Sequence, residues 1–223
     1  MNKTIPIQTG GDSKAMHIPA KTLSEEEILP FADALSAERT QVCADYDRTR
    51  WLYVPHTYLE YRYILGTRGE HPLICIGINP STAAPGDLDN TLKSVERIAH
   101  GNGYDSFIMF NVYAQRATDP DAMDAQRNEV LHRENMAAFD WVLSSCSAAH
   151  TPAVWAAWGT IIEKRAYLIP TVRDMIAVGQ RHGAQWFTVG TRSKKGHPHH
   201  PLYLRRDALT EPFDVSAYLD TLQ

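Results

Sequence analysis

The sequence predicts an α/β protein with three layers, α/β/α, around a mostly parallel central sheet. Apolar strand-like runs alternate with helical periods from Leu73 to Val189, the pattern of crossover connections over a sheet covered on both faces. Four of those runs end in polar or Gly-containing segments rather than ordinary turns. The length of 223 residues suits one such domain with additions and is short for two.

Met1 to about Pro19, with Gly10-Gly11, Asp12 and Ser13, reads as a loosely held arm. Ser24-Glu25-Glu26-Glu27 is a capping box that starts a helix. Pro30 either kinks that helix or opens a second one reaching Cys43. Residues 1–50 thus form an arm and helical extension, and residues 51–223 the single α/β domain. Tyr58–Leu65 is aromatic and branched with a period near two, and Gly66 marks its end as a strand. There follow a strand at Leu73–Ile78, a helix at Asn90–His100, a strand at Phe107–Val112 and a loop with Thr118-Asp119-Pro120 as cap and first turn. A helix through Glu134–Cys146 carries Met136, Phe139, Leu143 and Cys146 as one apolar stripe. Ala153–Trp158 is a further strand, Thr160–Gln180 is helical with a break at Pro170, and Gln185–Val189 is the last strand.

Apolar content of 43% and charged content of 22% are ordinary globular values, so the chain is expected to fold by itself. A net charge of −4 argues against a protein that coats nucleic acid regardless of sequence, although a local basic strip could hold phosphates. Cys43, Cys75 and Cys146 are odd in number and far apart, the pattern of free thiols in a reducing compartment. No stretch approaches the roughly 20 apolar residues needed to cross a bilayer, and no signal-peptide core follows Lys3. A cytoplasmic protein without a membrane partner is expected.

Ligands in open α/β folds bind beyond the carboxyl ends of parallel strands, so the four run-ends carry the functional expectations. They are Gly77-Ile-Asn79-Pro80, Phe110-Asn111-Val112-Tyr113, Ala157-Trp158-Gly159 and Gly196-His197-Pro198-His199-His200-Pro201. Asn79 either orients a water or ligand with its amide or closes an Asx turn. Asn111 follows a very apolar run, where an unpaired amide costs roughly 1–3 kcal/mol; its planar fork could read the edge of a flat heterocycle or tie down the next loop. Trp158 could stack on a ligand, with Gly159 allowing close approach, or belong to the core.

The His segment could supply one charge-stabilising donor. A metal site with His182 is the weaker reading, because the spacing is not that of a zinc helix. Arg192, Lys194 and Lys195 before the His segment, Arg205 and Arg206 after it, and Arg116 after Asn111 form a basic rim suited to phosphates, or a solvated loop. Asp89, with Asp87, Asn90 and Thr91, could cap a helix, position a water or bind a cation.

The motifs Ile78-Asn-Pro-Ser-Thr-Ala83, Asp89-Asn-Thr91, Asn111 to Pro120, Trp158-Gly159 and Gly196 to Tyr203 resemble an uncharacterised bacterial and phage family known as a domain of unknown function, over roughly Tyr61 to Leu204. Their order also resembles the uracil-DNA glycosylase superfamily, an α/β/α fold. That likeness implies Asn79 as the residue orienting an attacking water, Asn111 as base reader and His200 as donor to the departing base. Around the substrate the residues expected are Gly77, Pro80, Ser81, Asp89, Asn111, Arg116, Trp158, Gly159, Arg192, Lys194, Lys195, His199 and Tyr203. Ser81 departs from the Gly of the mismatch-specific branch, and Leu202-Tyr203 from the tail of the classical one. The expected function is hydrolysis of an N-glycosidic bond on a base in nucleic acid or a nucleotide, without cofactor or bound metal. A non-catalytic nucleotide or modified-nucleic-acid module and a metal-dependent hydrolase are the alternatives.

Overall fold

The computed structural model describes residues 16–19, 22–40, 45–146 and 149–222; most of the predicted N-terminal arm, and Cys43, lie outside them. The chain is α/β, with a single seven-stranded sheet among the described residues. Its strands are β1 (Trp51–Val54), β2 (Ile64–Thr67), β3 (Pro72–Gly77), β4 (Ser106–Asn111), β5 (Ala153–Ala156), β6 (Gln185–Val189) and β7 (Thr210–Pro212). They lie in the order β1-β2-β4-β3-β5-β6-β7. β4, β3, β5 and β6 run parallel in the centre, whereas β1–β2, β2–β4 and β6–β7 pair antiparallel. The sheet is therefore mixed rather than mostly parallel.

Two of the antiparallel edge strands, β1 and β7, carry no alternation and span four and three residues, too few to announce themselves by period. The expected strand at Tyr58–Leu65 also moves. Its aromatic residues serve side-chain contacts instead: Leu29 N–H donates to Tyr61 Oη at 2.8 Å, and Tyr63 Oη–H to the Leu29 carbonyl at 2.8 Å. β2 begins only at Ile64, and Gly66 sits within it. There the backbones of β2 and β4 approach so closely that a Cβ on Gly66 would stand 2.8 Å from Ile108 Cα, a contact that requires glycine.

Five α-helices are described: α1 (Phe31–Thr40), α2 (Asn90–Gly101), α3 (Glu129–Ser144), α4 (Leu168–Arg181) and α5 (Val215–Thr221). The Ser24 capping box is present, with Ser24 N–H donating to Glu27 Oε2 at 3.0 Å, but it opens a single 3-10 turn and not a long helix. Pro30 precedes a separate helix, α1. α3 starts five residues before the expected Glu134, capped by Asn128, whose Oδ1 accepts from Val130 and Leu131 N–H at 3.1 Å each. The break expected at Pro170 falls earlier, at 164–167. Pro170 lies in the first turn of α4, where a missing N–H costs nothing.

The sheet has two apolar faces, as alternation along β3 requires. Ile74 and Ile76 join one core with Phe31 and Leu35 of α1, Phe139 of α3 and Val172 of α4. Leu73 and Cys75 join the other with Leu92, Val95 and Ile98 of α2. Helices thus cover both faces, and the N-terminal helix shares the core of the α/β unit. From β3 the chain crosses first to β4 on one side and later to β5 on the other, so β3 is where the strand order reverses. Its carboxyl end is the place such a sheet offers to a ligand.

Candidate functional site

A cavity of about 450 Å³ opens at that end, within the range of about 300–1,000 Å³ typical of small-ligand sites. Its floor is nearly inaccessible: Arg62, Gly77, Ile78, Leu92, Met109 and Ala117 are buried. Asn79, Ser81, Asp89 and Thr91 form the walls, and His200 and the 92% exposed Tyr203 stand at the mouth. Sheet order spreads these groups along the cavity. Arg62 enters from the β2 side, Met109 from β4, Gly77 to Asn79 from β3, and Ile161 and His200 from beyond β5.

Backbone hydrogen bonding extends past the ends of β3 and β4 and fixes Asn79. Val112 N–H donates to Gly77 O at 2.9 Å, Tyr113 to Ile78 O at 2.9 Å and Ala117 to Pro80 O at 3.0 Å. The two loops therefore run side by side, and Asn79 Nδ2 donates across them to Ala117 O at 2.6 Å and to its neighbour Pro80 O at 3.2 Å. Its Oδ1 takes no hydrogen bond among the described residues. An amide anchored through nitrogen presents its oxygen as an acceptor, the polarity needed to hold a water.

Asp89 is the N-cap of α2, its Oδ1 accepting from Leu92 N–H at 2.8 Å. Its Oδ2 accepts from Ser81 Oγ–H at 2.5 Å. Ser81 thus faces a carboxylate already held by a helix.

The environment of His200 favours its neutral form. Burial of its ring against the cavity wall, and next the charge of His199, hold its pKa below the usual 6.5, opposed by Asp89. The residue remains solvent-accessible at the rim. Leu202 N–H donates to His200 Nδ1 at 3.3 Å, which places the remaining proton on Nε2 and makes that nitrogen a donor. The loop is docked on α2 by Ser94 Oγ–H to Pro201 O at 2.8 Å and Arg97 Nη2 to Leu204 O at 3.2 Å. Tyr203 itself has φ of 67°, a strained conformation for an aromatic residue that keeps its ring out in solvent at the cavity mouth.

Gly77, Asn79, Ser81, Asp89, His200 and Tyr203 are brought together; the other predicted site residues lie elsewhere. Pro80 is buried behind the wall. Asn111 is 1% exposed, does not line the cavity, and neither its Nδ2 nor its Oδ1 has a partner. It lies on the Met109 face of β4, and Nδ2 would be 3.1 Å from a Cβ on Gly77. Trp158 is core: its Nε1–H donates to Tyr218 Oη at 2.9 Å. Gly159, with φ of 63°, and His199 line a separate recess of about 240 Å³ that also touches His200.

The basic groups do not surround the cavity. Arg116 is fully buried, donating to Ser81 O and, at 2.8 Å, to Tyr53 Oη, with Tyr58 stacked on its face at 4.1 Å. Lys195 pairs with Glu163 at 2.8 Å, Arg192 lies over Phe213 at 5.7 Å, and Lys194 is exposed. The histidines diverge as well. His197 bonds Tyr218 Oη at 2.9 Å and Glu163 at 3.2 Å, and His199 Nδ1 donates to the His200 carbonyl at 2.6 Å. Among the described residues no three His, Cys, Asp or Glu side chains are grouped to hold a metal, and no helix is long and apolar enough to cross a membrane.

A family model matches residues 62–202, more than half of the chain. The chain belongs to the family described as protein of unknown function DUF1643. The DUF1643 span opens on Arg62 and closes on Leu202, both of which line the cavity. No curated protein and no solved structure matches the chain. Arg62, Ser94 and Arg97 had no local signal in the sequence; each acquires its role through contacts far along the chain.

Proposed function

We propose that this DUF1643 protein is a nucleobase-handling hydrolase that cleaves the N-glycosidic bond of a nucleotide or of a base in nucleic acid. The observation that carries the reading is one cavity with a free amide oxygen, Asn79 Oδ1, in its wall and a neutral imidazole donor, His200 Nε2–H, at its mouth. The helix-covered sheet and the motif order support a relationship to the uracil-DNA glycosylase superfamily.

Breaking the C1′–N bond leaves its electron pair on the base and positive charge on the sugar. Water bonds to C1′, and its released proton ends on the base. Asn79 Oδ1 accepts from that water and aims its lone pair at C1′. His200 Nε2–H donates to the ring atom on which negative charge grows, a preorganised contribution of roughly 3–4 kcal/mol when such a donor is well aimed. Asp89, held by Leu92 N–H and Ser81 Oγ, supplies negative charge beside the sugar cation. Tyr203 stacks on the base at the mouth. Asn111 lies on the β4 side of Asn79, toward the sugar end, so this reading leaves base selection to the residues around His200.

The test is chromatographic detection of free base after incubation with uracil-, hypoxanthine- and modified-base oligonucleotides and the matching nucleotides. Wild-type protein should release base. Asn79→Ala and His200→Ala should each reduce the rate by about 10²–10³-fold with unchanged circular dichroism. Binding without release from any substrate would instead identify a non-catalytic module.

A further inference from the structure

The β2 end of the cavity holds a buried guanidinium, with a second behind it, whose hydrogen bonds reach no carboxylate among the described residues. Arg62 is 1% exposed and lines the floor, yet makes one side-chain hydrogen bond, Nη1 to Ala83 O at 3.0 Å. Its Nε has no partner. Behind it stands the guanidinium of Arg116, whose terminal nitrogens are engaged by the Ser81 and Ala83 carbonyls and by Tyr53. Among the described residues no carboxylate is within 4.0 Å of either guanidinium. Asp89 has both oxygens committed to Leu92 N–H and Ser81. Both guanidiniums therefore bond only neutral oxygens, while Asp89 acts on Arg62 and Glu60 on Arg116 through space alone; a buried cation with no anion in contact is costly. The amino end of α2, capped by Asp89 and with Thr91 and Leu92 in the lining, adds a helix dipole of the same sign. Burial and the charge of Arg116 lower the Arg62 pKa to about 9, which still leaves it charged at neutral pH.

We propose that the Arg62 end of this cavity binds a terminal phosphate monoester, so that the substrate is a free nucleotide or a phosphorylated strand end rather than an internal nucleotide of a polymer. The inference rests on the nucleobase reading above for the other half of the ligand. Depth decides between the phosphate types. An internal phosphodiester carries chain on both sides and belongs at a rim, whereas a group that reaches a guanidinium exposed by 1% must be the end of its molecule. The layout follows: phosphate at Arg62, glycosidic bond beside Asn79, base between His200 and Tyr203.

Calorimetric titration of the full chain tests it, using nucleoside 5′-monophosphates of the common bases and hypoxanthine, the matching nucleosides, and oligonucleotides with and without a 5′-phosphate. The monophosphates should bind about 10–100-fold more tightly than their nucleosides, and a 5′-phosphate should strengthen oligonucleotide binding. Arg62→Gln should erase that preference, and Arg62→Lys should keep part of it. If circular dichroism shows Arg62→Gln unfolded, the wild-type comparison and Arg62→Lys decide. Nucleosides that bind as tightly as monophosphates, a folded Arg62→Gln with full preference, or binding of none of these probes at millimolar concentration would overturn the proposal. Base release is a separate readout. Phosphate-dependent binding without hydrolysis leaves the anion site standing and removes the glycosylase reading, while base release without phosphate preference does the reverse.

Discussion

Asn111 occupies a position where an apolar residue would be cheaper, because both ends of its amide are buried without a partner. Such groups are uncommon in folded proteins and mark sites held for something other than stability. Asn111→Ala is therefore expected to leave the melting temperature unchanged or raise it. Asn135→Ala is the contrast. Its Nδ2 donates to the Asn111 and Val112 carbonyls at 3.0 and 3.3 Å, so its loss should cost about 1–2 kcal/mol in urea unfolding. A drop of that size for Asn111→Ala would show that its amide does hold structure.

His200 supplies a pH signature. The unfolded chain takes up a proton near the ordinary histidine value of 6.5, whereas folded His200 resists it through burial and the charge of His199. Its contribution to stability is present above that pH and is lost as pH falls through the lowered folded value. His132, depressed by burial and Arg127, acts in the same direction. Melting temperature should thus fall between about pH 7 and pH 5, less steeply in His200→Gln; identical slopes would mean the imidazole titrates normally. Asn79 and His200 were legible in the sequence as polar residues ending or following apolar runs. Arg62 was not, since an arginine between Tyr61 and Tyr63 reads as surface until the loop at Ser81–Ala83 folds over it.

At the scale of elements, the late His segment is tied to the sheet by a buried chain. Trp158 Nε1–H donates to Tyr218 Oη, which pairs with His197 Nδ1 at 2.9 Å, and His197 Nε2 meets Glu163 at 3.2 Å. This links the end of β5, the His loop and α5 behind the cavity. Tyr218→Phe leaves both an indole N–H and a ring nitrogen unpaired, and chemical denaturation should show a loss of about 1–3 kcal/mol. A silent substitution would mean water replaces the hydroxyl. Gly66→Ala should destabilise by roughly 1–3 kcal/mol through overpacking, since the new Cβ meets the Phe107 carbonyl and lies 2.8 Å from Ile108 Cα. Gly86→Ala tests strain alone, having φ of 75° and nothing within 4 Å of a Cβ.

The central strands β3 to β6 were readable because buried parallel strands are continuous apolar runs with helices between them. β1 and β7 were not, because short edge strands acquire their state from their neighbours, and Gly66, which in sequence reads as a strand end, is small because β2 and β4 cross closely there.

Over the whole molecule, the parallel centre determines where the cavity lies, and the mixed edges determine what surrounds it. Gly77, Asn79, Ser81, Asp89, His200 and Tyr203 line that cavity, and the carboxyl end of β3 is legible in the sequence as an apolar run closed by Gly77-Ile-Asn79-Pro80. Trp158 and Arg116 follow strand ends at the same edge, but a strand end is visible in sequence whereas the direction of a side chain past that end depends on packing. Trp158 turns into the core toward Tyr218, and Arg116 turns under the Ser81 loop.

The most direct measurement is amide chemical-shift mapping on the isotope-labelled full chain titrated with a nucleoside 5′-monophosphate. Shifts should appear together and saturate with one affinity at Ile78, Ser81, Thr91, Leu202 and Tyr203. Shifts confined to another face, or none with any nucleotide, would contradict a single base-binding cavity at the end of β3.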